Sequence, residues 1–120
     1  MNSGCYQLKI KVKKDISLEV GALGICKFKK GNYIYTGSAM KNLSQRIARH
    51  QNKEKKLHWH IDYLLMNREV ELMEVVSHPS ENREECFYNQ RLINDGAEVV
   101  ISGFGSSDCK DCASHLVKID

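Results

Sequence analysis

Near the start of the chain Tyr6, Leu8, Ile10 and Val12 alternate with Gln7, Lys9, Lys11 and Lys13. A period of two predicts a half-buried strand, with its apolar side chains turned to a core and its lysines turned to water. Ile16, Leu18 and Val20 continue the alternation beyond a turn expected at Lys14-Asp15. The runs Ile25 to Lys29 and Tyr33 to Thr36 flank Gly31-Asn32, a residue pair suited to a tight hairpin turn. These segments predict an antiparallel N-terminal sheet with Lys side chains on one face.

The period then lengthens. Tyr35-Thr36-Gly37 reads as a strand ending in a glycine turn, and the residues after it repeat at helical spacing. Leu43 and Ile47 would face the core, while Arg46, Arg49 and His50 stand three and four apart and share another face. Asn42, followed three residues later by Gln45, predicts a capping-box-like start to a helix that runs through Arg49. Lys53-Glu54-Lys55-Lys56 reads as an exposed loop. A second helix is expected from His58 to Met66, with Trp59, Tyr63 and Met66 as a core stripe and with His58 and Asp62 spaced to pair. A strand over Val70 to Val76 leads to Pro79-Ser80-Glu81, where a third helix is expected to start with Ser80 as its N-cap and to end at Gly96. Ala97 to Ile101 reads as a further strand. No internal repeat or linker interrupts this order, and the elements predict a small α+β sandwich, an antiparallel-leaning sheet flanked by helices.

A length of 120 residues predicts one domain, large enough to bury roughly two-thirds of its unfolded surface without help from a metal or disulfide. No apolar run reaches membrane-spanning length, and lysines break up the N-terminal segment where a signal peptide would need an apolar core. Five cysteines without an export signal point to a reduced cytoplasmic setting, with Cys5, Cys26 and Cys86 as small core residues. The net charge of +3 conceals an asymmetry: Met1 to Lys56 hold 13 Lys+Arg against 3 Asp+Glu, and Leu57 to Asp120 hold 5 against 12. The basic half suits a polyanionic partner, and the acidic half offers metal ligands.

Candidate chemistry concentrates between Tyr35 and His50. Gly37 allows close backbone approach, the following helix start carries a partial positive charge, and Arg46, Arg49 and His50 add cations, which together form a phosphate site. The alternative is an ordinary strand-turn-helix with a solvated basic face. Tyr6 and Tyr35, taken alone, read as core aromatics of a sheet. Cys109-Lys110-Asp111-Cys112 with His115 has metal-ligand spacing, but a tetrahedral zinc site would need a fourth ligand from His58 or His60. One CxxC with one nearby His disfavours zinc and fits a segment packing the C-terminus against the body. Gly103-Phe104-Gly105-Ser106-Ser107-Asp108 lacks the lysine and glycine spacing of a phosphate-binding loop.

Tyr35-Thr36-Gly37, with Leu43, Arg46 and His50 at their offsets, resembles the second signature segment of the GIY-YIG nuclease superfamily. Gly4-Cys5-Tyr6 resembles the first, with Cys in place of the usual Ile. The separation of the two segments implies an inserted hairpin, and the segments His58 to Leu65 and Gly103 to Asp108 are similar to a small stand-alone branch of uncharacterised domains. The resemblance implies a metal-dependent endonuclease hydrolysing a phosphodiester, with DNA as the nucleic-acid partner and repair or processing of structured DNA as the setting. Tyr6 would act as general base or orient the attacking water, Tyr35 would position phosphate or water, Arg46 would stabilise phosphate charge, and His50 would assist. Gly37, Ser38 and Arg49 would contact the substrate. One Mg²⁺ or Mn²⁺ ion would sit on a late-helix glutamate, Glu84 or Glu85, with the position just before Cys86 favouring Glu85. A tyrosine base needs neighbouring cations or a metal to bring its pKa down from about 10. A partner protein supplying target specificity is compatible with so small a chain. The alternatives are a non-catalytic nucleic-acid-binding module with the same fold and a metal-stabilised interaction domain.

Overall fold

The computed structural model describes residues 2–52, 57, 59–105 and 114–120. Its described residues form seven strands, β1 (Gly4–Val12), β2 (Ile16–Glu19), β3 (Ile25–Phe28), β4 (Gly31–Ala39), β5 (Val70–Pro79), β6 (Glu98–Val99) and β7 (Leu116–Lys118), and three helices, α1 (Leu43–Gln51), α2 (His60–Leu65) and α3 (Glu85–Asn94). Five strands make an antiparallel sheet in the order β5-β1-β4-β7-β6, and β2 pairs with β3 in a separate two-stranded ribbon. The architecture is the expected α+β fold.

The alternation along β1 sets the layers. Tyr6, Leu8, Ile10 and Val12 are buried on one face, where they join Phe28, Tyr33, Tyr35, Leu43, Ile61, Leu64, Phe104 and Leu116 in one apolar cluster. Helices α1 and α2 and the β2-β3 ribbon cover this face. The opposite face buries Cys5, Ile34, Thr36 and Val117 toward its middle, under α3, while Lys9 and Lys11 reach solvent. Lys9 pairs there with Glu74 across the strands at 3.1 Å, an exposed contact worth little to stability.

Several sequence expectations are corrected. Gly31-Asn32 is not a hairpin turn: β4 begins at Gly31 and pairs with β1, while β3 pairs back with β2. The β2-β3 pair is the hairpin expected between the two segments, inserted between β1 and β4 and closed by a short 3₁₀ turn over Gly21–Leu23. Asn42 does not cap α1 through its side chain but adopts a left-handed conformation with φ 57°. Capping falls to Asn2, whose backbone oxygen accepts from the Leu43 N–H and whose Oδ1 accepts from the Ser44 N–H. Ser80 does not start the third helix: its N–H donates to the Ser3 carbonyl, extending β5, and α3 begins only at Glu85. Met66 is 38% exposed, so the expected stripe of Trp59, Tyr63 and Met66 is not the core face of α2; Ile61, Leu64 and Leu65 are. The expected strand at Ala97 to Ile101 shrinks to β6, and the unexpected β7 joins β4 to complete the sheet.

Lys53 to Lys56, His58, and the segment 106–113 with Cys109, Lys110, Asp111 and Cys112 lie outside the described residues. The expected exposed loop, the His58–Asp62 pair and the Cys/His metal spacing fall there. Among the described residues no helix is long and apolar enough to cross a membrane.

Candidate functional site

The antiparallel register of β1 and β4 sets Tyr6 opposite Gly37 and Leu8 opposite Tyr35. Tyr6 and Tyr35 therefore lie on the same sheet face, near the end where β1 begins and β4 finishes. Gly37 makes the first of them possible: a Cβ there would stand 2.6 Å from the Tyr6 hydroxyl. Gly105 does the same for Tyr35, combining φ +70° with a would-be Cβ only 2.8 Å from the ring. Its N–H donates to His60 Nδ1 at 2.9 Å, which pins that backbone against α2.

A cavity of about 230 Å³ opens at this end of the sheet, lined by Tyr6, Tyr35, Gly37, Ser38, Arg46 and Glu85, together with Trp59, Arg83, Gly105 and His115. Six of the expected site residues thus meet around one hollow, although β1, β4, α1 and α3 deliver them from distant parts of the chain. Arg46 donates to the Ser38 carbonyl at 2.8 Å, which fixes its guanidinium at the cavity wall. Its guanidinium carbon also lies 4.6 Å from the centre of the Trp59 ring.

The three basic residues of α1 divide their tasks. Arg46 faces the cavity. Arg49 makes a two-pronged contact with the fully buried Asp62, Nη1 to Oδ1 and Nη2 to Oδ2 both at 2.9 Å, and packs 4.5 Å from the Trp59 ring centre. Arg49, expected to contact substrate, is not among the cavity-lining residues and forms this ion pair, since a buried carboxylate requires a nearby cation. Asp62 Oδ2 also accepts from the Trp59 N–H at 2.9 Å, tying α2 to the same cluster. His50 is 3% exposed and is not among the cavity-lining residues. It stands behind Tyr6, with Nε2 2.8 Å from the hydroxyl. At the α1 N-terminus, where an anion was expected, Asn2 accepts from the Leu43 and Ser44 amides.

Electrostatics at the tyrosines runs opposite to the expectation that neighbouring cations lower their pKa. Burial pushes Tyr6 up to about 12, against the pull of Arg46 and Arg49, and burial raises Tyr35 too. Desolvation wins because Tyr6 is only 2% exposed and a phenolate loses its hydration there. At neutral pH Tyr6 is a neutral phenol hydrogen-bonded to His50. His115 is held below the usual imidazole range by burial, with Glu85 pulling the other way.

Glu85 is the carboxylate on the cavity wall against which the expected cation is tested. Its Oε2 is buried and has no hydrogen-bond partner among the described residues, and its side chain lines the cavity. A buried, unsatisfied carboxylate oxygen is costly unless something cationic meets it. One hard oxygen ligand beside room for water and phosphate fits Mg²⁺ or Mn²⁺, which keep much of their hydration shell. Among the described residues no cluster of three or more His, Cys, Asp or Glu is arranged to hold a metal. Glu84 turns elsewhere, with Oε1 accepting from the Ser80 hydroxyl at 3.0 Å.

Trp59, Arg83 and Gly105 line the cavity without having been expected there. Trp59 had the spacing of a core residue, and its place between cationic side chains depends on how α1 crosses α2. Arg83 precedes α3 in a polar stretch with no local signal. The model of the domain of unknown function DUF123 matches residues 5–120, and the chain belongs to that family. No curated protein and no solved structure matches the chain.

Proposed function

We propose that this DUF123 domain hydrolyses phosphodiester bonds in nucleic acid, with DNA as the expected substrate and one Mg²⁺ or Mn²⁺ ion held by Glu85. The observation that carries the reading is the convergence of Tyr6, Tyr35, Arg46 and the unsatisfied Glu85 oxygen on one cavity. These are the groups that resemblance to GIY-YIG nucleases requires, brought together from four separate elements. Arg46 would neutralise a phosphate oxygen, a task suited to its fixed fork of donors. Tyr35 borders the same hollow and would orient the phosphate or a water. Tyr6 would lose its proton toward His50 as it takes one from the attacking water, since the two are already hydrogen-bonded. The ion, when bound, would supply Lewis-acid stabilisation of the phosphate charge. A cytoplasmic setting and a role in DNA repair or processing belong to the same proposal.

One observation favours a second reading. Burial keeps the Tyr6 phenol protonated up to about 12, which fits a module that binds nucleic acid through Arg46 without cutting it. Incubating the purified protein with branched and linear DNA, with and without Mg²⁺ or Mn²⁺, separates the two. Metal-dependent cleavage lost in Glu85→Gln supports the nuclease. Salt-sensitive binding with no cleavage in either metal leaves the binding module, and absence of both ends the nucleic-acid reading.

A further inference from the structure

We infer that the exposed face of α3 is a track for a single nucleic-acid strand leaving the cavity, with Phe87 as the surface on which a base stacks. This rests on the nuclease reading for where the strand begins. Phe87 is 59% exposed, a large apolar ring left in water at the first turn of α3. Arg91 follows it by four residues, one helical turn on, and its guanidinium carbon lies 5.9 Å from the ring centre. Arg83 precedes it by four residues and lines the cavity. Arg83 and Arg91 are both exposed, and neither forms an ion pair among the described residues. A cation, an aromatic ring and a second cation thus lead outward from the cavity wall.

The ring is also held. Tyr88 meets Phe87 edge-on with ring centres 5.3 Å apart, and Tyr88 is stacked on His78 at 4.1 Å and 15°. His78 Nε2 lies 3.1 Å from Gln7 Oε1, which anchors the stack to β1. An aromatic ring with its neighbours fixed loses little conformational freedom when a base settles on it. An exposed aromatic flanked in sequence by two arginines suits one occupant in particular. Phosphates pair with the cations, and an unpaired base, which has an open π-face, stacks on the ring. A duplex keeps its bases stacked inside and can use only the cations.

The test measures binding of the full chain, without metal, to a fluorescent oligothymidylate and to a blunt duplex of equal length. Phe87→Ala is expected to weaken binding of the single strand roughly tenfold, the scale of one lost base stack, and to leave the duplex unaffected. Phe87→Trp is expected to restore it. Arg91→Ala is expected to flatten the salt dependence by about one released counterion. Unchanged strand affinity in Phe87→Ala, or equal losses for strand and duplex, overturns the track, and so does failure of the wild-type chain to bind the strand. A wild type that cleaves DNA while Phe87→Ala binds the strand normally sinks this inference alone. The stated binding pattern without metal-dependent cleavage leaves the track standing and removes the nuclease.

Discussion

The hydroxyl of Tyr6 lies 2.8 Å from Nε2 of His50, inside a site that the two residues enter from β1 and α1. The contact gives a buried phenol a neighbour able to exchange a proton. Sheet register makes the contact possible, because Gly37 faces Tyr6 across the strands and leaves room for the phenol to swing toward α1. His50 touches Tyr6 and is not among the cavity-lining residues.

Gly37→Ala is therefore expected to damage both stability and activity. The new methyl would fall 2.6 Å from the Tyr6 hydroxyl, so the phenol must move and its bond to His50 must lengthen or break. Overpacking at a buried site costs about 1–3 kcal/mol, readable as a lower midpoint in urea unfolding. Ser38→Ala is the control for stability alone: Ser38 holds Arg46 through its backbone carbonyl, which the substitution leaves in place. An unfolding midpoint for Gly37→Ala equal to wild type would contradict this packing.

Arg46→Ala and Glu85→Gln separate chemistry from affinity. If Arg46 and an ion on Glu85 act on the transition state, each change should lower cleavage by roughly a hundredfold or more. Binding without metal should split in direction, modestly weaker for Arg46→Ala and unchanged or slightly tighter for Glu85→Gln, which removes a negative charge beside the phosphate. A contaminating nuclease would ignore both substitutions. Equal cleavage by wild type and both variants would remove catalysis from the proposal.

Asp62→Ala is expected to be among the most destabilising single changes in the chain. Asp62 is fully buried, and it holds Arg49 at 2.9 Å through both oxygens and caps the Trp59 amide. Removing one partner of a fully buried pair costs about 3 kcal/mol or more; Arg49 is 28% exposed and water offsets part of that, so the loss comes also from the contacts that Asp62 makes to Arg49 and the Trp59 amide. Arg49→Met, which removes the cation and leaves the carboxylate, should be similarly harmful, and a double variant should cost less than the two losses added. Additive losses in denaturant unfolding would mean the two residues are not coupled.

The tyrosines predict a falling stability at high pH. Burial pushes Tyr6 and Tyr33 up to about 12, while an unfolded tyrosine titrates near 10. Between those values the unfolded chain binds fewer protons than the folded one, so the tyrosine contribution to stability is constant below about pH 10 and is lost as pH rises toward 12. Spectrophotometric titration of tyrosinate should show Tyr6, Tyr33 and Tyr35 ionising late, with the loss of folded signal. Full ionisation of all five tyrosines near pH 10 in a protein that stays folded would contradict their burial.

The sequence by itself determined what local periodicity and residue chemistry determine. The alternation at Tyr6 to Val12 specified a half-buried strand, and Leu43 and Ile47 specified the inward side of a helix bearing Arg46. The candidate residues Tyr6, Tyr35, Arg46 and Glu85 were also legible, through their resemblance to known signatures. Tertiary structure decided everything that depends on which distant segments meet. Gly31-Asn32 has the composition of a turn, yet β4 pairs with β1, because that pairing buries Tyr33 and Tyr35 in the same core as Leu8 and Ile10. Asn42 has the chemistry of a cap, but Asn2, brought alongside by β1, accepts from the Leu43 and Ser44 amides instead, while the N–H of Ser80 itself donates to the Ser3 carbonyl. The direction of the Tyr6 pKa was decided in the same way. Cations can be counted along a chain, but the loss of water around a phenol exists only once the strands and helices have closed over it.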